Sequence, residues 1–143
     1  MFGMIPGLEQ AEFVRYGVMH RNTFLPANVL GWEYQMKTRP GVYFAGQITG
    51  VEGYVESASS GLAAAIQLSR ALNGLPPVDF TAQTAIGALS HYVAEYAGND
   101  FQPMNVTFGI MEPYPARIRN KVERYGKIAE RSLAIVKELK TNV

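Results

Sequence analysis

The stretch from Thr38 to Gly61 constrains this chain more than any other. Val42 to Ala45 is a compact apolar run of strand-favouring type, and it is followed by Gly46, Gly50 and Gly53 and then by the small-residue run Ser57, Ala58, Ser59, Ser60 and Gly61. A buried strand, a glycine-punctuated turn and a helix built of small residues is the order in which a protein forms a dinucleotide cradle, because glycine lets backbone approach a ligand where a Cβ would intrude. The helix that follows aims its unpaired N–H groups and the positive end of its dipole over the turn, which suits a phosphate or an electron-rich ring edge. The same spacing also serves ordinary α/β turns whose role is close packing. Gln47 stands just past the carboxyl end of the expected strand, where open α/β sheets place ligands.

Along the rest of the chain the pattern is mixed. Ala11 to Leu25 alternates loosely and predicts one or two strands after the Pro6-Gly7 turn, with a further short strand over Glu33 to Lys37. A helix is expected from Tyr54 to Asn73, stopped by Asn73-Gly74 and the Pro76-Pro77 pair. A second is expected from Thr81 or Thr84 to about Tyr96, with Ile86, Leu89, Val93 and Tyr96 on one face. Asn105 to Ile110 reads as a strand. The last helix, Ala116 to about Lys140, is expected to bury Ile118, Val122, Tyr125, Ala129, Val136 and Leu139. The fold class that follows is α/β (α+β). Three stretches organise it: 1–37 as a strand-rich joining segment, 38–75 as a strand-turn-helix unit, and 76–143 as a helix-strand-helix segment.

Composition narrows the function classes. At 143 residues and 48% hydrophobic content the chain is long enough for one core, and its net charge of +1 gives no strongly basic overall balance of the kind a self-sufficient nucleic-acid binder carries. There is no cysteine, so no disulfide framework or thiolate metal site, and His20 and His91 are too far apart to suggest a metal pair. The longest weakly polar run, Gly61 to Leu68, is too short to span a bilayer, which makes the cytoplasm the expected compartment.

The residues also carry a resemblance. Phe44-Ala45-Gly46-Gln47-Ile48-Thr49-Gly50-Val51-Glu52-Gly53-Tyr54-Val55-Glu56-Ser57-Ala58 resembles the second flavin-contacting motif of the TrmFO family, the folate- and FAD-dependent tRNA (uracil-5-)-methyltransferases. Met4 to Glu9, Phe13 to Phe24, Thr84 to Leu89 and Phe101 to Asn105 resemble successive blocks of that family in the same order. The related MnmG/GidA flavoproteins, which modify the wobble uridine, share the Ile-Pro-Gly-Leu block, the Phe-Ala-Gly-Gln turn and the Gly-Tyr-x-Glu step. Val51-Glu52, Val55 and the Gly17-Val18-Met19-His20-Arg21-Asn22 block favour the methyltransferase over this rival.

The resemblance implies the C-terminal part of a two-domain, FAD-binding, Rossmann-like flavoprotein, incomplete as a domain. No glycine-rich fingerprint followed by an acidic residue about twenty positions on is present, and the cysteine that the family uses on uracil is absent. The implied cofactors are FAD, 5,10-methylenetetrahydrofolate and NAD(P)H, and the implied partners are tRNA and the remaining N-terminal part of the enzyme, with no membrane or metal. The chain by itself is expected to be inactive. Gly46 and Gln47 fall where the family resemblance puts the ribityl chain and pyrophosphate, and Gly50, Val51, Glu52, Gly53 and Tyr54 fall beside the pyrimidine edge of the flavin. Tyr54 suits either a folate-stacking ring or a core tyrosine, and Glu56 either the amino-pyrimidine edge of folate or solvent.

His20, Arg21 and Asn22 are candidates for folate or tRNA contacts, with an ordinary polar strand edge as the alternative. Lys121, Arg124, Lys127 and Arg131 recur at helical spacing as a charged outer face that would also suit a tRNA backbone. A separate possibility is a stand-alone, non-catalytic binding module.

Overall fold

Apolar residues at helical spacing dictate the three long elements, and a computed structural model describes residues 2–12 and 23–140. α1 runs Tyr54–Leu72, α2 Ala85–Glu95 and α3 Lys121–Leu139, with short 3-10 turns at Phe2–Met4 and Gly46–Thr49. The boundaries follow local chemistry. α1 stops where Asn73 and Gly74 leave helical geometry, Gly74 taking φ +68°. α2 starts at Thr84, whose hydroxyl accepts from the Gly87 amide. α3 begins at Lys121, later than the periodicity from Ala116 predicts, because the Asn120 carboxamide accepts from the amides of Val122 and Glu123.

The strands expected from the sequence do not form as ladders among the described residues. Val42–Ala45 contributes one antiparallel bridge, Tyr43 with Gln35. Leu30 bridges Met36, and Val51 runs parallel to Met104 as a single bridge. The physical reason is pairing: a strand exists only against a neighbour, and here each extended segment meets its partner at one or two residues before turning away. The described architecture is thus mostly helical, in place of the expected α/β alternation, and Asn105 to Ile110 is an irregular segment that ends in a turn. The strands expected over 11–25 fall largely on residues outside those described.

The main core cluster draws on all three expected stretches: Leu30, Tyr34, Val51, Ala63, Ala64, Leu89, Val93 and Phe101. Each large aliphatic side chain removed from water there contributes about 1.5–3 kcal/mol. On α2, Leu89 and Val93 are buried as predicted, and Ile86 and Tyr96 pack against them. Ring contacts tighten one end, with Phe101 between Phe24, Tyr92 and Tyr96 at centroid separations of 5.9, 5.5 and 5.6 Å. Gln67, buried on α1, clamps the return loop by donating to the Val78 carbonyl at 2.5 Å and accepting from its amide at 3.0 Å.

α3 differs from the expected stripe. Its buried residue is Ile128, which packs with Ala88 and Met111, while Val122 is 81% and Val136 42% exposed. Arg131 adds a polar tie, donating to the carbonyl oxygens of Glu112 and Pro113.

Candidate functional site

The glycine-rich bend holds most of the candidate residues that the structure describes. Gly46 opens a 3-10 turn at φ +76°, its amide donating to the Ser60 hydroxyl at 2.7 Å, and the buried Thr49 hydroxyl donates back to the Gly46 carbonyl at 2.8 Å. The turn closes through the Gly50 amide on the Gln47 carbonyl. Val51 then passes through the core alongside Met104, held by the Met104 amide on the Gly50 carbonyl at 3.1 Å and the Glu52 amide on the Met104 carbonyl at 3.0 Å. Gly53, at φ +87°, is the residue from which α1 springs.

α1 starts differently from its neighbours. Thr84 and Asn120 cap α2 and α3 with side-chain oxygens, whereas Gly53 has no side chain to offer, and the amides of Tyr54, Val55 and Glu56 find no acceptor among the described residues. Unpaired first-turn amides together with the helix dipole form a site for negative charge. Beside them the Ser57 hydroxyl is buried without a hydrogen-bond partner among the described residues. A buried, unpaired hydroxyl costs about 1–3 kcal/mol unless something satisfies it, and Ser57 lies under Gly46, 4.0 Å from where a Cβ on that glycine would stand. These two features fit the acceptor-rich edge of a bound ring or phosphate.

The candidate residues of the bend divide into two groups. Gln47, Glu52 and Tyr54 face outward, Tyr54 at 94% exposure, and Gly46 lies half-buried between them and Ser57. Gly50 and Val51 are buried, with the Val51 side chain fully inside the core. Gly50 is glycine because Phe101 occupies its missing side chain's place, 2.6 Å from Cε1. Gly53 is crowded by Asn105 Nδ2 at 2.8 Å and by the Glu56 carboxylate, so the bend brings Glu56 and Asn105 together over its backbone. Asn105 and Ser57 were not singled out from the sequence; Ser57 was findable as the residue one turn into a helix that a glycine precedes. His20, Arg21 and Asn22 lie outside the described residues.

A second polar cluster escaped the sequence reading. His91 on α2 bonds Asp79 Oδ1 through Nε2 and Glu95 Oε1 through Nδ1, both at 2.9 Å, and stacks on Trp32 at 6.1 Å and 16°. Burial works against its charge, but the two carboxylates outweigh it and raise its pKa above the ordinary 6.5. It ties the 79–84 loop to α2. An apolar groove of about 320 Å³ bounded by Met111, Ala129 and Leu133 holds none of the candidate residues. Among the described residues no group of His, Asp and Glu is placed to hold a metal ion, and no helix is long and apolar enough to cross a membrane.

Residues 1–76 match the family described as "GIDA: Glucose inhibited division protein A". The chain belongs to the GidA family. Its relatives include proteins named methylenetetrahydrofolate–tRNA-(uracil-5-)-methyltransferase TrmFO. That of Acetivibrio thermocellus is 58% identical over 96% of this chain, and that of Streptococcus thermophilus 56% over 99%. The Listeria welshimeri protein of the same name is 53% identical over the whole chain. This GidA-family chain spans about a third of the length of these relatives, between 31% and 33%. Among solved structures, Aquifex aeolicus GidA superposes with a TM-score of 0.52 over 82% of this chain and 21% of its own, at 22% identity, a likeness of fold.

Proposed function

We propose that this chain is the C-terminal segment of a tRNA-modifying flavoenzyme that converts a T-loop uridine to 5-methyluridine, and that it forms one wall of the flavin and folate site. The observation that carries the reading is the opening of α1: three amides without acceptors among the described residues, above a glycine bend and beside a Ser57 hydroxyl with no partner there. The names of the relatives support the choice of reaction. Gly46, Gln47 and Ser57 would hold the polar chain of FAD, and the amides of Tyr54 to Glu56, with the dipole behind them, would stabilise negative charge at the pyrimidine edge of the reduced ring. Tyr54 and Glu56 would face the folate, and His20, Arg21 and Asn22 the folate tail or tRNA. When bound, FAD supplies reducing equivalents drawn from NAD(P)H, and 5,10-methylenetetrahydrofolate supplies the carbon. The cysteine that the resemblance implies as the nucleophile on uracil would come from outside these 143 residues, which contain none.

The α/β sheet expected from the sequence belongs, in this reading, to the complete FAD domain. α1 keeps apolar surface for it: Val55, Leu62 and Leu72 are 76%, 61% and 79% exposed, on the side opposite the buried Ser60, Ala63, Ala64 and Gln67. The rest of the polypeptide would cover that face and complete the cradle, and the enzyme would work in the cytoplasm.

The test is to purify the protein as its gene encodes it, reduce it with NAD(P)H, and analyse the nucleosides of a tRNA transcript after incubation with methylenetetrahydrofolate. 5-Methyluridine confined to the T-loop is the expected product. A product at the wobble uridine would assign the chain to the carboxymethylaminomethyl-modifying branch instead. No uridine product at either position would leave the binding-module alternative.

A further inference from the structure

Charge is distributed unevenly along this nearly neutral chain. Residues 113–140 hold eight Lys and Arg against three Glu, whereas the remaining residues hold five against nine Asp and Glu. A basic segment on an otherwise acidic chain is the sequence footprint of a polyanion contact.

The structure decides which of these cations are available. Lys127 pairs with Glu130 at 2.9 Å, and Arg131 is committed to the carbonyls of Glu112 and Pro113. The regular stripe Lys121, Arg124, Lys127 and Arg131 is therefore half spent on internal bonds. What is left is a shorter patch at the entry to α3. Arg117, Arg119 and Lys121 are exposed and no carboxylate of the described chain pairs with them. Asn120, between them, is fixed as the helix cap.

The fourth member is held in place by aromatic contacts. Tyr125 stacks on Phe108 at 4.2 Å and 12°, and Lys121 Nζ and the Arg124 guanidinium sit over its ring at 5.5 and 5.3 Å. Cations poised over a ring lose less freedom when an anion arrives. Tyr125 is already occupied by Phe108 and the two cations, so the patch offers positive charge in preference to a platform for base stacking.

We propose that Arg117, Arg119, Lys121 and Arg124 form a docking surface for the phosphodiester backbone of folded RNA, the tRNA body in the reading above, on which this inference rests. The surface reads charge and not sequence, since nothing in the patch is aimed to distinguish one base edge from another. It would orient the substrate without taking part in the chemistry.

The test compares the protein as encoded with the triple variant Arg117→Gln, Arg119→Gln, Lys121→Gln and, as a charge control, Lys137→Gln, Lys140→Gln at the far end of α3. Filter binding of a tRNA transcript is measured across a salt series. Each phosphate contact contributes roughly 0.7–0.9 to the slope of log K against log salt, so the triple variant should flatten it by about 2–3 and weaken binding at least about tenfold at low salt. The control should keep the parent slope. An unchanged slope in the triple variant, with tight binding by the parent, overturns the docking surface and leaves the methyltransferase reading standing. A parent that retains no tRNA at low salt overturns both. Polyglutamate that binds the parent more tightly than tRNA at equal charge, and loses that binding in the triple variant, overturns RNA in favour of an acidic protein.

Discussion

Adding one methyl group at Gly50 and, separately, at Gly46 distinguishes packing from ligand approach within the same bend. Both glycines have left-handed backbone, φ +87° and +76°, and an alanine held there costs about 1–2 kcal/mol in conformation alone. At Gly50 the new Cβ also lands within 2.6 Å of Phe101 Cε1, and Phe101 is itself pinned by Phe24, Tyr92 and Tyr96. The ring has no free direction to move, so overpacking adds about 1–3 kcal/mol, for a loss of about 2–5 kcal/mol in Gly50→Ala. At Gly46 the nearest side-chain atom is Ser57 Cβ at 4.0 Å, so Gly46→Ala should lose only the conformational part, and in the protein as its gene encodes it the proposed reading expects weaker flavin retention. Urea unfolding of both variants, together with Phe101→Leu and the Gly50→Ala/Phe101→Leu double variant, closes the cycle. Shortening the ring makes room for the methyl, and the double variant should recover about 1–2 kcal/mol relative to additivity. Equal losses at the two glycines, or strict additivity in the cycle, would refute the claim that Phe101 dictates glycine at position 50.

Other outcomes follow from single contacts. Thr84→Ala removes the buried hydroxyl that accepts from the Gly87 amide and donates to the Phe80 carbonyl; thermal unfolding should register a loss of about 1–2 kcal/mol. Gly87→Ala places a methyl 2.6–2.7 Å from the backbone carbons of Thr81 and Phe80, which cannot swing aside; soluble yield and melting temperature should both fall further than for Thr84→Ala. His91 is raised above its ordinary 6.5 by Asp79 and Glu95 against the opposing effect of burial. Its contribution to stability is therefore complete below about pH 6.5 and lost as pH rises through the higher folded value, and denaturation midpoints of His91→Gln should lack that decline, while a variant that still shows it would clear His91 of the effect. In the proposed reading the 143-residue chain supplies one wall of a flavin cradle, so, purified alone and mixed with FAD, it should emerge from gel filtration colourless.

The helices were readable in advance because their information is local. Leu89 and Val93 recur on one face of α2, and Asn73-Gly74 carries the stop of α1 in its own conformational preferences. The extended segments were not, because a run such as Val42–Ala45 becomes a ladder only if another strand lies alongside, and its partner Gln35 touches it at a single bridge. α3 was misread in rotation: Ile128, the residue that docks, is set by where Ala88 and Met111 lie, and no spacing within α3 states that. The glycine bend was half legible. Its position and the start of α1 followed from pattern, yet Gly50 answers to Phe101, about fifty residues away, and the partnering of His91 required Asp79 to fold back across α2. Gln47 and Tyr54, the sites read from resemblance, are exposed on that bend.

The attachment of α3 carries a consequence for how the molecule comes apart. Its interior anchor is one isoleucine, assisted by one guanidinium reaching back to Glu112 and Pro113, whereas α1 and α2 are joined through the main cluster of buried side chains. Local openings follow such differences in anchoring, so the carboxyl-terminal rod should exchange its amide protons ahead of the rest. A protease should find its first cut in the extended connector before Asn120.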